Sequence, residues 1–255
     1  MNFYQQRLTP IVALILCCCL ATPLPVMAET DAGPDRWKMG GSAYLWFSGI
    51  EATSVAGDKI DISFSDALDS LDGGIMGIVA AQKGRWILLA DLQYLRIHDE
   101  TSSTANVIGQ PAEFNLDLKQ TVFVSTFAVA YRVLGDDRTN LDLLAGGRYA
   151  KIDIDIDVDT AMGIIEASES ETVLDGIVGG QAIAALNDRW YVYCYADVGV
   201  GDSKLTWQAW PGIGYRFKKL EVVAGYREVH WDTDDGDTLD DMKFKGPALG
   251  VRFPF

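Results

Sequence analysis

The sequence predicts an all-β protein: a closed antiparallel up-and-down transmembrane β-barrel of ten strands, with no soluble domain. Three observations lead to this fold class. Apolar and polar residues alternate with a period of two through ten segments, the connections alternate between short and long, and aromatic residues gather near the segment ends. A soluble β-sandwich also alternates, but most of these segments reach the roughly ten residues that a tilted membrane strand needs.

The first residues of the chain predict an export signal. Arg7 supplies a positive start, Ile11 to Leu20 an apolar stretch, and Val26 to Ala28 a small-residue cleavage site. The apolar stretch is about half as long as a membrane-spanning helix needs to be. The sequence therefore predicts a signal peptide at 1–28 and a barrel domain at 29–255.

The composition argues against a nucleic acid partner and favours a sheet protein. The chain has 21 basic and 36 acidic residues and a net charge of −15, which repels phosphate backbones. Apolar residues make up 49% of the chain, yet no stretch after the signal peptide is long and apolar enough for a transmembrane helix. A membrane span in the remaining chain therefore has to be a strand.

The predicted strands are ten segments that each end in turn residues. They are Trp37 to Ile50, Gly73 to Gln82, Arg85 to Ile97, Glu113 to Val133, Asn140 to Val158, Glu171 to Leu186, Trp190 to Val200, Lys204 to Phe217, Leu220 to Trp231 and Met242 to Phe255. The short connection at 201–203 stands where a long one is due. Merging the strands around it gives eight strands, which is the alternative count.

The connections between these segments alternate in length. Tight turns are predicted at 83–84, 135–139, 187–189 and 218–219, and long loops at 51–72, 98–112, 159–170 and 232–241. Barrels of the outer membrane have short periplasmic turns and longer extracellular loops. The alternation therefore predicts both the location, the cell outer membrane, and the orientation of the chain.

The alternation also assigns a lipid face and a lumen face to each strand. In the third segment Trp86, Leu88 and Leu92 lie opposite Asp91 and Gln93. A girdle of aromatic side chains at the membrane surfaces is predicted from the residues nearest the strand ends. These are Trp37, Trp86, Trp190, Phe217 and Trp231.

Two strands contain irregularities. Pro211 falls on the lipid face of the eighth segment and has no backbone donor, which predicts a bulge there. In the fifth segment the polar face that carries Asp142 and Arg148 changes sides at Lys151. Either a bulge near Gly146 resets the phase, or that end of the strand rises clear of the membrane.

Six stretches carry a resemblance to a known group of proteins. They are Tyr44 to Trp46, Lys83 to Tyr94, Ala145 to Tyr149, Gly214 to Phe217, Ala224 to Arg227 and Gly246 to Phe255. In these stretches the chain resembles outer-membrane β-barrel proteins of proteobacteria that have no assigned activity. The resemblance implies that the outer-membrane assembly machinery reads the closing strand, and it brings no catalytic residues. The implied assembly signal is Leu249, Val251, Phe253 and Phe255.

Side chains that face the lumen of a narrow barrel fill it, and the charged ones must pair. The alternation predicts a lumen network of Lys38, Asp91, Arg132, Asp175, Asp197, Lys204, Arg216, Glu221, Arg227 and Arg252. Tyr191, Tyr193, Tyr195 and Gln208 are predicted on the same face. We expect Arg216, Arg227 and Arg252 to share acidic partners such as Asp197 and Glu221. The network favours a filled barrel with a structural or low-conductance role, and the alternative is a conducting or solute-binding lumen.

Residues with catalytic potential are few. His98 and His230 are predicted at the extracellular strand ends, where a lipid-modifying or hydrolytic barrel enzyme could act, but no recognisable nucleophile accompanies them. The sequence therefore predicts no enzyme, cofactor or metal site, with such an enzyme as the alternative. A Ser, Asp or Glu within hydrogen-bond reach of either histidine would support the alternative. Cys194 falls on the lipid face, where a thiol is inert.

Acidic residues are concentrated in the predicted extracellular loops. Besides the run at 232–237 they include Asp58, Asp61, Asp66, Asp69, Asp159, Glu166 and Glu169. Most are expected to form solvated surface, with divalent ions bridging some of them to lipopolysaccharide. The expected partners are outer-membrane lipid, lipopolysaccharide and the assembly machinery.

Overall fold

The computed structural model describes residues 36–54, 59–62, 71–107, 110–136, 138–160, 163–233 and 239–253. The predicted signal peptide and Phe255 lie outside these residues, as do several of the predicted loop acids. Within the described ranges, no helix is long and apolar enough to cross a membrane.

The described strands form one antiparallel sheet that closes on itself. They are β1 (Lys38–Trp46), β2 (Gly49–Ser54), β3 (Lys59–Ile62), β4 (Leu71–Lys83), β5 (Trp86–Val107), β6 (Gln110–Gly135), β7 (Thr139–Thr160), β8 (Gly163–Ala185), β9 (Trp190–Gly201), β10 (Leu205–Arg216), β11 (Glu221–Asp232) and β12 (Leu239–Phe253). Because β1 pairs with both β4 and β12, the barrel is a ring of ten strands, β1 and β4 to β12. The ten-strand prediction is confirmed. The eight-strand alternative is wrong because a turn at 202–204 separates β9 from β10.

The first barrel strand continues beyond the ring as a hairpin. After an interruption at Phe47 and Ser48, β2 resumes pairing along β12, with Gly49 opposite Lys245. The Phe47 amide donates to the Pro247 carbonyl at 2.9 Å and bridges the interruption. Strand β3 then folds back on β2. The hairpin extends the sheet at the end that carries the predicted long loops, here called the long-strand end.

The strands β5 to β8 are 22 to 26 residues long, whereas β9 to β11 have 12 residues each. Pairing of β5 with β6 continues to Val107 and Gln110, and pairing of β7 with β8 continues to Thr160 and Gly163. The long loops predicted at 98–112 and 159–170 are therefore mostly strand. Their Ser, Thr and acidic residues give no apolar face, but a backbone ladder does not require one. We call 98–107, 110–121, 151–160 and 163–172 the projecting sheet.

Tight turns join the strands at the opposite, short-turn end, as predicted. The turn between β4 and β5 lies at Gly84 and Arg85, one residue later than predicted, and Gly84 adopts the left-handed φ of 59° that favours glycine. Asp136 closes the next turn by accepting the amides of Arg138 at 2.8 Å and Thr139 at 2.7 Å. Asx-type capping of this kind explains why the sequence marks these turns clearly.

Neither expected bulge is present. Around Pro211, Ala209 pairs with Glu228 and Gly212 with Gly225, so the register is unchanged across the proline. Pairing of β7 with β6 is likewise continuous through Gly146. The change of face in β7 therefore comes from a change of environment along one regular strand, the second of the two possibilities.

Candidate functional site in the barrel lumen

The inward side chains lie at successive levels along the barrel. At the long-strand end is an apolar cap, made of Trp46, Met76, Val229, Trp231, Met242 and Phe244, all buried. Next comes a central charge layer, made of Asp91, Arg148, Asp197, Gln208 and Arg227, each 5% exposed or less. Toward the short turns the charged groups separate into smaller clusters.

Arg227 on β11 connects distant strands across the lumen. Its Nη2 donates to Asp91 Oδ2 at 2.8 Å and to Gln208 Oε1 at 3.0 Å, and its Nη1 donates to the Tyr44 hydroxyl at 2.6 Å. Tyr44 donates in turn to Asp91 Oδ1 at 2.6 Å. Because these side chains come from β1, β5, β10 and β11, the hydrogen bonds span the barrel and do not only join neighbouring strands.

Arg148 on β7 forms the second half of the charge layer. Its Nη2 donates to both carboxylate oxygens of Asp197, at 2.7 and 2.5 Å, and its Nη1 donates to Thr206 Oγ1 at 3.0 Å. The same Nη2 lies 3.2 Å from Gln208 Oε1. Since that oxygen also accepts from Arg227, Gln208 links the two ion pairs into one network.

Aromatic rings enclose the two guanidinium groups. The Arg227 Cζ atom lies 4.9 Å from the ring centres of both Trp46 and Trp210, and the Arg148 Cζ atom lies 5.9 Å from that of Trp231. A cation–π contact is stabilising by about 2 kcal/mol when the arginine is desolvated. The rings also exclude water, which strengthens the ion pairs beneath them.

The net charge of the layer is zero, because it contains two arginines and two aspartates. A buried ion costs several kcal/mol of desolvation unless it is paired and fully hydrogen-bonded. The terminal nitrogens of Arg148 and Arg227 supply that pairing, whereas the Nε atom of each is buried without a hydrogen-bond partner among the described residues. The layer and the apolar cap above it therefore fill the lumen with a dry, interlocked set of side chains.

A second cluster surrounds Glu221 near the short turns. Arg216 Nε and Arg252 Nε lie 3.3 and 3.4 Å from its two carboxylate oxygens, and the Tyr191 hydroxyl donates to it at 2.8 Å. Both guanidiniums also face the Tyr191 ring, at 4.7 and 6.0 Å from its centre. Two cations thus share one anion, which leaves this cluster with one positive charge in excess.

Glycines on β10 make room for the tyrosines of β9. A Cβ atom at Gly214 would lie 2.1 Å from the Tyr191 ring, and one at Gly212 would lie 2.3 Å from the Tyr193 ring. Both tyrosines can therefore lie flat across the neighbouring strand. This packing places both tyrosine rings against β10 in the lower lumen.

The other predicted lumen residues have more local roles. Arg132 Nε donates to Asp142 Oδ1 at 2.8 Å, which joins neighbouring strands. Asp175 forms a turn cap: it accepts the Ser203 amide at 2.9 Å and the Ser203 hydroxyl at 3.0 Å. It thereby ties the turn between β9 and β10 to β8.

Two predicted members of the network lie at its margins. Lys38 is on the lumen side of β1 but exposed at the strand end, and Lys204 is exposed in the turn that precedes β10. The expected sharing of Asp197 is also wrong, because Asp197 is bonded to Arg148. Arg227 uses Asp91 instead.

Sequence reasoning left out several central residues. Arg148 and Asp142 had been placed on one polar face of the fifth segment, but the phase change at Lys151 obscured their direction. Tyr44 and Trp210 are buried partners of Arg227 that parity alone could have placed inward. Which of these side chains meet across the lumen depends on the stagger of the strands, which period-two alternation does not encode.

The outward face carries an apolar belt between two groups of aromatic rings. Phe127, Leu143 and Val178 are more than half exposed in the middle of their strands. Near the short turns, Trp86 packs edge-on against Tyr131 at 4.9 Å, and a similar ring pair, Phe123 and Tyr149, lies toward the other end at 6.1 Å. Such a belt requires a lipid environment.

One predicted girdle residue is misplaced. Trp231 faces the lumen, is 3% exposed and packs against Phe244. Its strand-end position indicated a lipid-facing ring. However, Trp231 follows Arg227 and Val229 at every second position of β11, and all three side chains face the lumen. Parity is the stronger indicator because it follows from the pleat itself.

Residues on the outer face of β9 and β12 lie as the alternation predicts. Cys194 is exposed on the outward side of β9. Leu249 and Phe253 are half exposed on the outside of β12, with Val251 between them. The remaining assembly residue, Phe255, is beyond the described range.

Each histidine has an aspartate partner on the outward face. His98 Nε2 lies 2.9 Å from Asp117 Oδ1, and His230 Nε2 lies 2.5 Å from Asp241 Oδ1. Both pairs are near the long-strand end. The requirement set for an enzymatic alternative, an acidic or hydroxyl partner, is therefore met at both positions.

The outer face of the projecting sheet is charged. The Lys119 ammonium, 2.9 Å from Asp117, lowers the pKa of that carboxyl, and Asp117 raises the pKa of Lys119. Lys151 and Asp153, 2.7 Å apart, shift each other's pKa values in the same directions. These pairs are solvated and hold adjacent outward side chains of single strands.

Comparison with known proteins gives only distant structural likeness. No protein-family model and no curated protein matches the sequence. Among solved structures, the outer membrane protease OmpT of Escherichia coli has a TM-score of 0.48 and 10% identity, covering 89% of this chain and 99% of its own. The translocator domain of autotransporter NalP from Neisseria meningitidis has a TM-score of 0.47 and 12% identity, covering 97% and 98%.

A third structure is the attachment invasion locus protein Ail of Yersinia pestis, with a TM-score of 0.37 and 12% identity, covering 87% of this chain and 99% of its own. The class of this protein follows from its own architecture. A closed antiparallel ring with every barrel strand paired on both sides, an apolar belt and aromatic girdles is an outer-membrane β-barrel.

Proposed function

We propose that this protein is a sealed structural barrel of the outer membrane and not an open pore. The observation that carries this proposal is the central charge layer, in which Arg148 and Arg227 are each 1% exposed and bonded across the lumen. An ion crossing this level would have to break two desolvated ion pairs. The apolar cap adds a second barrier, since Trp231 and Phe244 contact each other above the layer.

Conductance in planar lipid bilayers tests this proposal. The refolded wild-type protein is expected to give no steady ion current. Replacing Asp91 and Arg227 together by alanine removes a charge pair without leaving a lone buried ion, and adding Trp46→Ala also opens the cap. Only the triple variant is expected to conduct, while the outward-facing control Val198→Ala stays silent. A steady wild-type current would overturn the proposal.

The proposed partners of the protein follow from its position in the outer membrane. Its belt contacts outer-membrane lipid, and its acidic long-strand end, with exposed Glu166 and Glu169, contacts lipopolysaccharide through divalent ions. Insertion depends on the assembly machinery recognising the outward row of β12. Removing Phe255, or replacing it by Asp, should reduce the amount in the outer membrane while leaving export intact. Unchanged outer-membrane levels would count against this role.

A hydrolytic or lipid-modifying enzyme is the second candidate, supported by the His98–Asp117 and His230–Asp241 pairs. An aspartate can orient a histidine that acts as a general base. Incubation of the refolded protein with phospholipid and lipopolysaccharide substrates would detect such activity. Product that disappears in His230→Ala or His98→Ala, but persists in Cys194→Ala, would favour the enzyme over the structural role.

A further inference from the structure

The lower lumen contains a cavity that the sealed-barrel role does not use. It has a volume of about 240 Å³ and lies between the charge layer and the short turns, with Tyr193 and Tyr195 of β9 among its lining residues. Its walls are mainly apolar, formed by Ile78, Ile87, Leu89, Leu144 and Ile183 with Ala80, Ala128 and Ala130. Asp91 and Gln208 close its inner end, and Arg132 and Arg252 stand toward its mouth.

The size and lining of the cavity suit a small hydrocarbon body. Apolar cavities of about 150 Å³ hold benzene, which has six heavy atoms, and stay free of water. At the same ratio, the present volume of about 240 Å³ corresponds to about ten heavy atoms. A chain or ring of about that number of heavy atoms would bury its apolar surface against these walls.

The mouth of the cavity is electropositive. Arg252 lines it and is only partly neutralised, because it shares Glu221 with Arg216. The second arginine there, Arg132, is already balanced by Asp142. An anionic group placed at Arg252 would complete the charge balance of the Glu221 cluster.

The surrounding surface has the same sign. The short turns expose a basic rim of Lys83, Arg85, Arg138, Arg189, Lys218 and Lys219, against the described acids Asp136 and Asp188. This rim contrasts with the acidic balance of the whole chain. Charges of one sign around a cavity raise the local concentration of ligands of the opposite sign.

We propose that this cavity is a binding site for a small amphipathic carboxylate, held with its apolar body among the isoleucines and its carboxylate at Arg252. The ligand reaches the cavity from the short-turn end and stops at the charge layer. The site is thus a blind pocket and not a transport path. The proposal goes beyond the structural role and does not depend on it.

Methyl NMR of the refolded protein in neutral detergent tests the proposal, with octanoate as the probe. The methyl groups of Ile78, Ile87 and Ile183 report on the cavity, and those of the outward-facing Ile75 and Ile213 report on partitioning into the micelle. Octanoate is expected to shift the cavity methyls saturably. Octylamine, which has the same chain and the opposite charge, is expected to shift only the outward methyls.

Two variants separate the parts of the site. Arg252→Gln is expected to weaken octanoate binding about tenfold, as loss of a charged hydrogen bond does. Ala130→Phe fills the cavity and should abolish binding, whereas the adjacent outward variant Val129→Phe should leave it intact. All three variants must first show the heat-dependent migration of a folded barrel. Absence of saturable cavity shifts would overturn the site, and equal binding of octylamine would overturn its preference for carboxylates.

Discussion

The barrel wall and the projecting sheet are parts of the same strands with opposite polarity. In the wall of β7, Leu143 faces outward and Arg148 inward. Further along the same strand, Ile152 faces inward and Asp153 outward. The register does not change between these positions. The exchange of polar and apolar residues between the two faces therefore comes from the order of the residues alone.

The reversal teaches that alternation reports the pleat, and the identity of the outer residues reports the solvent. An outward apolar row requires lipid, and an outward charged row requires water. The inner face changes in the opposite sense. The wall encloses the ion pairs, whereas buried apolar side chains, Val122, Ile152 and Val173, face inward where the projecting sheet begins. The membrane boundary therefore crosses β5 to β8 where the outer row changes from aromatic to charged.

The largest expected effect is in the charge layer of the wall. Arg227→Ala would leave Asp91 buried without its cation, and removal of one partner of a buried pair costs about 3 to 5 kcal/mol. Urea unfolding in lipid vesicles measures the change in the free energy of unfolding. The double variant Asp91→Leu with Arg227→Met should recover most of the loss, since apolar replacements of similar volume often replace such pairs without cost. A single variant within 1 kcal/mol of wild type would contradict the assignment.

The outer face gives a direct test of the boundary on one strand. Val129 and Thr121 both face outward on β6, the first in the wall and the second in the projecting sheet. Val129→Arg should destabilise the protein by roughly 2 to 4 kcal/mol, because an arginine near the bilayer midplane is desolvated, and Thr121→Arg by roughly 0 to 1 kcal/mol. The same vesicle unfolding assay compares them. Equal losses would mean that the boundary is elsewhere.

A smaller effect is expected at the Glu221 cluster. Arg252 is partly solvated, and Glu221 retains Arg216 and the Tyr191 hydroxyl when Arg252 is removed. Arg252→Ala should therefore cost about 1 kcal/mol. Because the charge layer lies further along the lumen, the conductance of the Arg252→Ala variant should stay at the wild-type level. An ion current in this variant would place the seal at the short-turn end.

Fold and site differ in how far the sequence determines them. Strand number, short turns and the inward direction of Arg216, Arg227 and Arg252 follow from local alternation and turn residues. The partners do not, because Arg227 meets Tyr44 from a strand 183 residues away and Arg148 meets Asp197 at a separation of 49. Such meetings are set by strand stagger and tilt. The projecting sheet was predicted as loops because strands in water need no lipid-facing apolar row.

The smallest expected effect concerns the pH dependence of the projecting sheet. The pKa of Asp117 is lowered from its ordinary value of 3.8 by the hydrogen bond from Lys119, and that of Asp153 by Lys151. A carboxyl whose pKa is lower in the folded state stabilises that state above its ordinary pKa and loses this contribution as the pH falls through the lowered value. The lysines act at the other extreme, because their raised pKa values remove stability as the pH rises past 10.5.

Amide hydrogen exchange resolves this effect because it follows each strand segment separately. After correction for intrinsic rates, the protection of amides near Thr121 and Asp153 should be constant at neutral pH and decrease below about pH 4. The variant with both Asp117→Asn and Asp153→Asn removes the two titrating groups, so its protection should be lower at neutral pH but should lose this acid-dependent component. The effect is small because both pairs are solvent-exposed, and exposed pairs contribute little. Unchanged acid sensitivity in the double variant would show that other carboxyls control the opening, and would leave the charged outer row with a role in solvation alone.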